Sequence, residues 1–261
     1  MMLYTRRDSL AVAALGAFGV SAVLARSTAE SDGALTLDQI IARHTKARGG
    51  AAAIDAINSQ KSTVEITENS AVMAGIYRAT KAPLCRVDVY VGKKHVYAEG
   101  LDDDGVWNWP SDEPKPLQSV ADAKKTLIQG VELNLYGLHA FSSLGNKLSA
   151  SGREKIEGID YYVVEVEFKD SYKTFLYVDP QTWMITRRRE IRAFHPDLDT
   201  TKKFVETQYS DFRPFGGVLS AVLSHMVNLK TGEITQVAVT KTLVYNAPED
   251  RGVFARDYKS P

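Results

Sequence analysis

Most of the chain from Ser62 onward alternates apolar and polar residues with a period of two, which is the pattern of half-buried β-strands. The clearest apolar faces are formed by Cys85, Val87, Val89 and Val91; by Tyr162, Val164, Val166 and Phe168; and by Leu219, Ala221, Leu223, His225, Val227 and Leu229. Short turn-like segments such as Lys230-Thr231-Gly232 separate the runs, and strands joined by tight turns pair antiparallel. The pattern predicts about nine to eleven strands, too many for a flat open sheet.

Two segments follow the helical period instead. Thr36 and Gln39 form a capping box in front of an apolar stripe that includes Ile40 and His44, and Gly49-Gly50 ends the segment. A short helical turn is predicted over residues 51–57. A second stripe between Ser119 and Ala140 consists of Val120, Ala123, Leu127, Val131, Leu135 and Leu138. We therefore predict a mainly β fold with helices (α+β), in which a strongly curved antiparallel sheet is covered by helices on its concave side.

The N-terminal region has the pattern of an export signal. Arg6 and Arg7 precede the apolar run from Leu10 to Leu24, which is too short to span a membrane, and small residues suited to cleavage follow. We predict that residues 1–29 are a cleavable signal of the twin-arginine type and that residues 30–261 form one periplasmic domain. An ordinary secretory signal and a retained N-terminal anchor are the alternatives.

Composition excludes several functions. Removing the predicted signal leaves 29 basic and 31 acidic residues, without the basic excess that nucleic-acid binding requires. The single cysteine, Cys85, excludes an internal disulfide and cysteine-based zinc clusters. No metal-binding spacing, phosphate loop or nucleophile motif is present, so we predict no metal, no cofactor and no catalytic residues.

Several short motifs together resemble one family. In order, they are Ile40-Ile41-Ala42-Arg43 through Ala47-Arg48-Gly49-Gly50, Asp104-Gly105-Val106-Trp107, Lys155-Ile156-Glu157-Gly158-Ile159-Asp160-Tyr161-Tyr162, Tyr177-Val178-Asp179-Pro180-Gln181-Thr182, Tyr209-Ser210-Asp211-Phe212 and the stretch around Gly216-Gly217. Their order and spacing resemble the LolA-like periplasmic outer-membrane lipoprotein-sorting proteins, especially the broad relatives of unassigned cargo. The resemblance implies an unclosed half-barrel whose mouth is lined by helices and whose hydrophobic cavity accepts acyl chains.

The resemblance therefore predicts a non-catalytic carrier that binds a lipid or an acylated protein. Its candidate cavity residues are Val87, Val89, Val164, Val166, Leu219, Leu223 and Leu243, with Leu127, Val131 and Leu135 as the helical cover. Arg187 and Arg189 are candidates for binding an anionic head group or an acidic partner, against the alternative of a salt-bridged, solvated strand. Expected partners also include transient donor and acceptor proteins of the envelope, together with peripheral membrane contact.

Two other classes of function remain open. One is a periplasmic enzyme that acts on a hydrophobic envelope substrate, with His225 or His95 as the base. The other is a lipid-sensing envelope protein that binds a partner. A large apolar cavity would favour the carrier, a polar cleft with convergent histidines and carboxylates the enzyme, and a filled interior the interaction protein.

Overall fold

The computed structural model describes residues 35–193 and 196–259. The predicted export signal at residues 1–29, with Arg6 and Arg7, therefore lies outside the described residues. Within the described part, no helix is both long and apolar enough to cross a membrane.

Within the described residues, thirteen strands form one antiparallel sheet, which confirms the prediction of a mainly β fold. They are β1 (Ser59–Glu68), β2 (Ala71–Thr80), β3 (Cys85–Val91), β4 (Lys94–Asp102), β5 (Gly105–Pro110), β6 (Leu117–Gln118), β7 (Lys147–Ile156), β8 (Ile159–Glu167), β9 (Lys173–Val178), β10 (Ile185–Arg192), β11 (Lys203–Phe215), β12 (Val218–Asn228) and β13 (Ile234–Tyr245). The predicted number of strands was too low. The two residues of β6 are too few to leave an alternating pattern in the sequence.

The sheet is open and consists of two meanders. Its strand order is β6-β5-β4-β3-β2-β1-β13-β12-β11-β10-β9-β8-β7, so every neighbouring pair except β1 and β13 is consecutive in the chain. The first and last strands pair from Gln60 with Tyr245 to Glu68 with Gln236. This single long-range pairing joins the two halves of the molecule, and β6 and β7 remain as the edges.

The first helix begins and ends where the sequence predicts. Helix α1 (Leu37–Ala47) has a complete capping box between Thr36 and Gln39, and Arg48 is its C-terminal cap. Gly49 has a φ of +124°, and a Cβ atom there would overlap the carbonyl oxygen of Gly217. The turn between β11 and β12 thus packs directly against the end of α1, and only glycine fits at this contact. The short helix α2 (Ala51–Asp55) follows.

The second predicted helix ends earlier than its apolar stripe. Helix α3 (Ala121–Leu135) stops at Tyr136, whose backbone is extended, and Leu138–Leu144 form a separate 3-10 helix. The chain changes direction at Gly137. Glycine fits there because a Cβ atom would collide with the ring of His139. Leu138 therefore belongs to a different element from the rest of the stripe.

Two apolar clusters join the helices to the sheet. In one, Ala123, Val131 and Leu135 of α3 pack with residues of the first meander, including Cys85 and Leu101. In the other, α1 and the 3-10 helix pack against strands β8 and β9 of the second meander. The space between these two clusters contains the candidate site.

Candidate functional site

A cavity of about 370 Å³ lies between the helices and the middle strands of the sheet. Side chains from α1, α3 and the 3-10 helix border it on one side, and residues of β1, β2 and β9 to β13 border it on the other. Its volume falls within the range of roughly 300–1,000 Å³ that is typical of small-molecule sites. The space can therefore hold a ligand.

More than half of the residues that border the cavity are apolar. They are Val64, Leu133, Leu138, Phe141, Leu176, Met184, Ile185, Phe212, Leu219, Ala221, Val222, Leu223, Ala238 and Leu243. Four tyrosines, Tyr77, Tyr136, Tyr209 and Tyr245, add further apolar surface and hydroxyl groups. No aspartate or glutamate is found among the bordering residues of the described chain, whereas two arginines are.

Three of the residues proposed from the sequence border this cavity: Leu219 and Leu223 on β12, and Leu243 on β13. These two strands lie beside each other in the sheet, so the three leucines come from one part of the wall.

The other proposed residues lie elsewhere. Val164 and Val166 are fully buried in the cluster that α1 forms with the second meander. Val131 and Leu135 are buried in the other cluster, with Leu127 packed against it. Val87 and Val89 are half-buried on the side of the sheet that carries Tyr77, because Val87 is directly opposite Tyr77. Phe212, Leu133 and Phe141 border the cavity but were not among the candidates.

The wall contains a split between two neighbouring strands. Strands β12 and β13 pair only from Leu223 to Val227, although β12 begins at Val218 and β13 continues to Tyr245. All six residues from Leu219 to Ser224 border the cavity. Because successive residues of a strand point to opposite faces, the cavity must reach the edge of β12 rather than one face alone. A hydrogen bond of 2.8 Å between the hydroxyls of Ser220 and Tyr245 bridges the split.

His44 of α1 is a neutral hydrogen-bond acceptor in the cavity wall. Its Nδ1 lies 2.8 Å from the Trp183 carbonyl oxygen, which can only accept, so Nδ1 carries the proton. Burial, with a contribution from the nearby charge of Arg48, lowers the pKa of His44 to about 4. Its Nε2 is buried and has no hydrogen-bond partner in the part of the chain that the structure describes.

Arg48 lies one helical turn beyond His44 and borders the same cavity. Its carbonyl oxygen accepts a hydrogen bond of 2.8 Å from the Leu219 backbone N–H, which places the end of α1 beside the split. Desolvation lowers the pKa of the Arg48 guanidinium, and the proximity of Tyr245 opposes this change only in part. Across residues 35–193 and 196–259, no carboxylate forms an ion pair with this side chain.

Arg188 of β10 is the second cation of the wall, and its charge is compensated. A carboxylate oxygen of Glu190 lies 2.9 Å from the Arg188 guanidinium, and the same carboxylate accepts a hydrogen bond of 2.8 Å from the Tyr172 hydroxyl. Burial alone would lower the pKa of Arg188, but Glu190, Tyr209 and Tyr172 raise it above its ordinary value. Arg188 is therefore a stable part of the wall.

The neighbouring arginines point to the other face of the sheet. Arg187 and Arg189 both form ion pairs of 2.6 Å with Glu206. Arg189 also pairs with Glu154 at 2.7 Å, and Arg187 pairs with Glu157. Their charges are thus compensated by carboxylates on a surface that is separate from the cavity.

The histidines considered as catalytic bases do not border the cavity. The Nε2 atom of His95 lies 3.2 Å from the Asp88 carboxylate, which is itself buried between Arg78 and Arg86. His225 is directly opposite Gln208 and Val237 on neighbouring strands.

Cys85 is buried, and this burial raises the pKa of its thiol to about 12. Within the described residues, no group of three or more potential ligands could hold a metal ion.

Solved structures resemble the whole described fold. A LolA superfamily protein from Nitrosomonas europaea aligns with a TM-score of 0.56 over 87% of this chain and 100% of its own, at 15% sequence identity. A DUF1329 family protein from Desulfovibrio piger aligns with a TM-score of 0.52 over 85% of this chain and 98% of its own, at 13% identity. The chain has a LolA-like fold. No protein-family model matches its sequence, and no curated protein is significantly similar to it.

Sequence reasoning missed the polar part of the site, His44 and Arg48, although the sequence contains one signal for it. Arg48 belongs to a motif that carries the resemblance, but the motif by itself identifies only a helix end. The available signal was the spacing of Ile40, His44 and Arg48, which places all three on one face of α1. A histidine and an arginine that continue a buried apolar stripe indicate polar groups facing an enclosed space.

Proposed function

We propose that this protein is a periplasmic carrier that binds a hydrophobic or acylated ligand inside its sheet. In this proposal the sheet curves into an unclosed half-barrel, the helices cover its mouth, and the ligand occupies the space between them. The predicted signal at residues 1–29 would deliver the chain to that compartment. The LolA-like fold supports the architecture, and the cavity supports the binding role.

The observation that carries the proposal is the cavity of about 370 Å³, whose wall is mainly apolar and contains no carboxylate among the described residues. Removing apolar surface from water contributes roughly 25 cal/mol per Å². An acyl chain of about fourteen carbons represents ~11 kcal/mol before the entropic costs of binding. Moving such a chain through water requires enclosure, which the space between helices and sheet provides.

The site does not favour the enzyme alternative. Hydrolysis or elimination needs a base close to the bound substrate. His95 and His225 do not border the cavity, and burial lowers the pKa of His44 to about 4, which makes its Nε2 a weak base. The structure thus offers a mainly apolar space rather than a polar cleft with convergent carboxylates.

Filling the cavity tests the proposal directly. Leu243 borders the cavity, and its neighbour Val244 on the same strand is 49% exposed. Leu243→Trp should fill the space and reduce binding of a fluorescent fatty-acid probe at least tenfold, whereas Val244→Trp should leave binding unchanged. Circular dichroism and urea unfolding of both variants would confirm that each is folded.

Ligand carried through purification gives an independent measurement. Mass spectrometry of an organic extract from protein purified out of its own envelope should detect lipid in the wild type and much less in Leu243→Trp. If the wild type neither contains lipid nor binds the probe, the carrier function is wrong.

Two further roles remain proposals. Export by the twin-arginine route predicts that replacing Arg6 and Arg7 with lysine retains the precursor in the cytoplasm, measured by fractionation. Binding of an anionic head group or an acidic partner by Arg187 and Arg189 predicts, for the head group, weaker association with anionic vesicles when both are replaced with glutamine. Their pairing with Glu206 makes a salt-bridged surface the competing interpretation of these arginines.

A further inference from the structure

The electrostatics of the cavity wall are asymmetric. Among its described bordering residues there are two arginines and no lysine, aspartate or glutamate. Glu190, which lies behind the wall, compensates Arg188 at 2.9 Å. Arg48 has no equivalent carboxylate in the described chain and is the uncompensated cation of the cavity.

A desolvated cation without a counter-ion is costly unless a ligand supplies the opposite charge. Arg48 is half-buried, and this partial desolvation lowers the pKa of its guanidinium because it disfavours the charged form. Arginine remains protonated in proteins, so the charge stays in the wall. An anion bound beside Arg48 would remove this cost and add charge-assisted hydrogen bonds.

The surroundings of Arg48 provide further donors. The hydroxyls of Ser220 and Tyr245 lie 2.8 Å apart beside the split, and only one of them can donate to the other. The accepting hydroxyl therefore keeps its own hydrogen free to donate to a bound group. His44, one helical turn before Arg48 in the same wall, is neutral and has an unpartnered acceptor in the described chain, which repels an anion. These groups favour an anion between Arg48 and the Ser220–Tyr245 pair.

We propose that the cavity binds a single-chain amphiphile whose polar end is anionic, and that Arg48 pairs with this anionic group beside the split between β12 and β13. The inference rests on the proposed carrier function and specifies its ligand class. The shared chemistry is a carboxylate or phosphate at the end of one acyl chain. A volume of about 370 Å³ is near the lower end of the range for ligand sites and therefore favours one chain over several.

The test compares a charged probe with its neutral ester. The mature chain is titrated with cis-parinaric acid and with its methyl ester at mildly alkaline pH, and binding is followed by probe fluorescence. We expect the wild type to bind the acid roughly tenfold or more tightly than the ester, since one charge-assisted hydrogen-bonded pair is worth about that factor. Arg48→Gln should remove this preference and leave the affinity for the ester unchanged.

Lys46→Gln is the matched control because it removes one positive charge from the same helix at an exposed position that does not border the cavity. It should preserve the preference for the acid. Displacement of the probe by a fatty acid, by a lysophosphatidic acid and by a neutral monoacylglycerol of equal chain length separates the two anionic sources. One of the two anionic competitors should displace the probe at least tenfold better than the neutral one.

The possible failures of the two proposals can be distinguished. Equal binding of acid and ester by the wild type, or equal weakening of both by Arg48→Gln, would show that Arg48 does not pair with the ligand while leaving the carrier function intact. An equal loss of the preference in Lys46→Gln would reject a local site in favour of general surface charge. Failure of the wild type to bind either probe would reject both the ligand class and the carrier function.

Discussion

At the scale of single residues, the polar groups around the cavity are the most informative. His44 is 2% exposed, and its Nδ1 proton is fixed by the Trp183 carbonyl. The sequence places this residue on an apolar helical stripe but does not show what its ring contacts. His44 is neutral because it is buried beside Arg48. This charge state follows from tertiary packing and not from the position of His44 on the helix.

This burial predicts a dependence of stability on pH. The pKa of His44 falls from 6.5 to about 4 on folding, so between these values the unfolded chain binds more protons. The stability contributed by neutral His44 is present above about pH 6.5 and is lost as the pH falls toward 4. The shift corresponds to roughly 3 kcal/mol. Urea unfolding of the wild type and of His44→Gln at both pH values should show that the free energy of unfolding falls less in the variant. An equal fall in both proteins would contradict the lowered pKa of His44.

Glu190 is a second buried charge, and its removal should be costly. Burial would raise the pKa of this carboxyl, but Arg188 and Arg192 outweigh that effect and hold the pKa below its ordinary value. Glu190→Gln leaves the Arg188 side chain, which is only 14% exposed, with less compensation and should lower the free energy of unfolding by about 3 kcal/mol.

Glu65→Gln is the control for that substitution. Glu65 forms an exposed ion pair of 3.1 Å with Lys241, and exposed pairs contribute about 0–1 kcal/mol. The midpoints of urea unfolding should therefore differ clearly between the two variants. Equal midpoints would mean that the Arg188 charge does not depend on Glu190.

At the scale of elements, local signals are reliable where they act through neighbouring residues. The capping box and the glycine pair predicted both ends of α1, because capping involves groups only a few positions apart. The end of α3 was not predictable in this way. Its apolar stripe continues to Leu138, but the packing of Gly137 against His139 and Ile54 separates that residue into a 3-10 helix.

The contact between α1 and the β11–β12 turn predicts a difference between adjacent glycines. Gly49 and Gly50 both have positive φ values, +124° and +90°, so Ala introduces backbone strain at either position. Only at Gly49 would the new Cβ atom overlap another backbone, at the Gly217 carbonyl. Gly50→Ala should cost about 1 kcal/mol and Gly49→Ala at least about 2 kcal/mol more. Thermal unfolding of the two variants checks which one is destabilised more. Similar losses of stability would exclude a tight contact between Gly49 and the Gly217 carbonyl.

At the scale of the whole molecule, the pairing of β1 with β13 joins the two meanders into one open sheet. Asn246 follows β13, and its side-chain oxygen accepts hydrogen bonds from the backbone N–H groups of Asn58 at 2.7 Å and Ser59 at 3.2 Å. Its amide nitrogen donates to the Ala56 carbonyl at 2.9 Å. One side chain thus ties the last strand to the segment in front of the first.

Removing this tie should destabilise the whole protein. Asn246→Ala loses three hydrogen bonds and leaves backbone groups unpaired, which predicts a loss of roughly 2–3 kcal/mol. Asn228→Ala is the control, because the side-chain oxygen of Asn228 accepts a local hydrogen bond, from the Lys230 backbone N–H two residues away. Urea unfolding should show the larger effect for Asn246. If both variants lose the same amount, the two halves are held together by the strand pairing alone.

The sequence by itself determined the antiparallel sheet, the first helix and the resemblance to LolA-like proteins. These depend on residue alternation, capping and short turns, which involve residues close together in the chain. Alternation also requires Arg188 to point away from Arg187 and Arg189, but it does not say which side is the interior. Both faces of β10 carry arginine, so the distribution of apolar residues along the strand does not identify the face that points to the interior.

Only the tertiary structure decided that Arg188 borders the cavity and that Arg187 and Arg189 meet Glu206 outside it. It also decided which apolar residues leave space. Val164 and Val166 have the same alternating strand pattern as Leu219 and Leu223, yet the first two pack into a solid cluster while the last two border a cavity. The physical reason is that an empty volume depends on how distant elements fit together, and no local period of the chain encodes that fit.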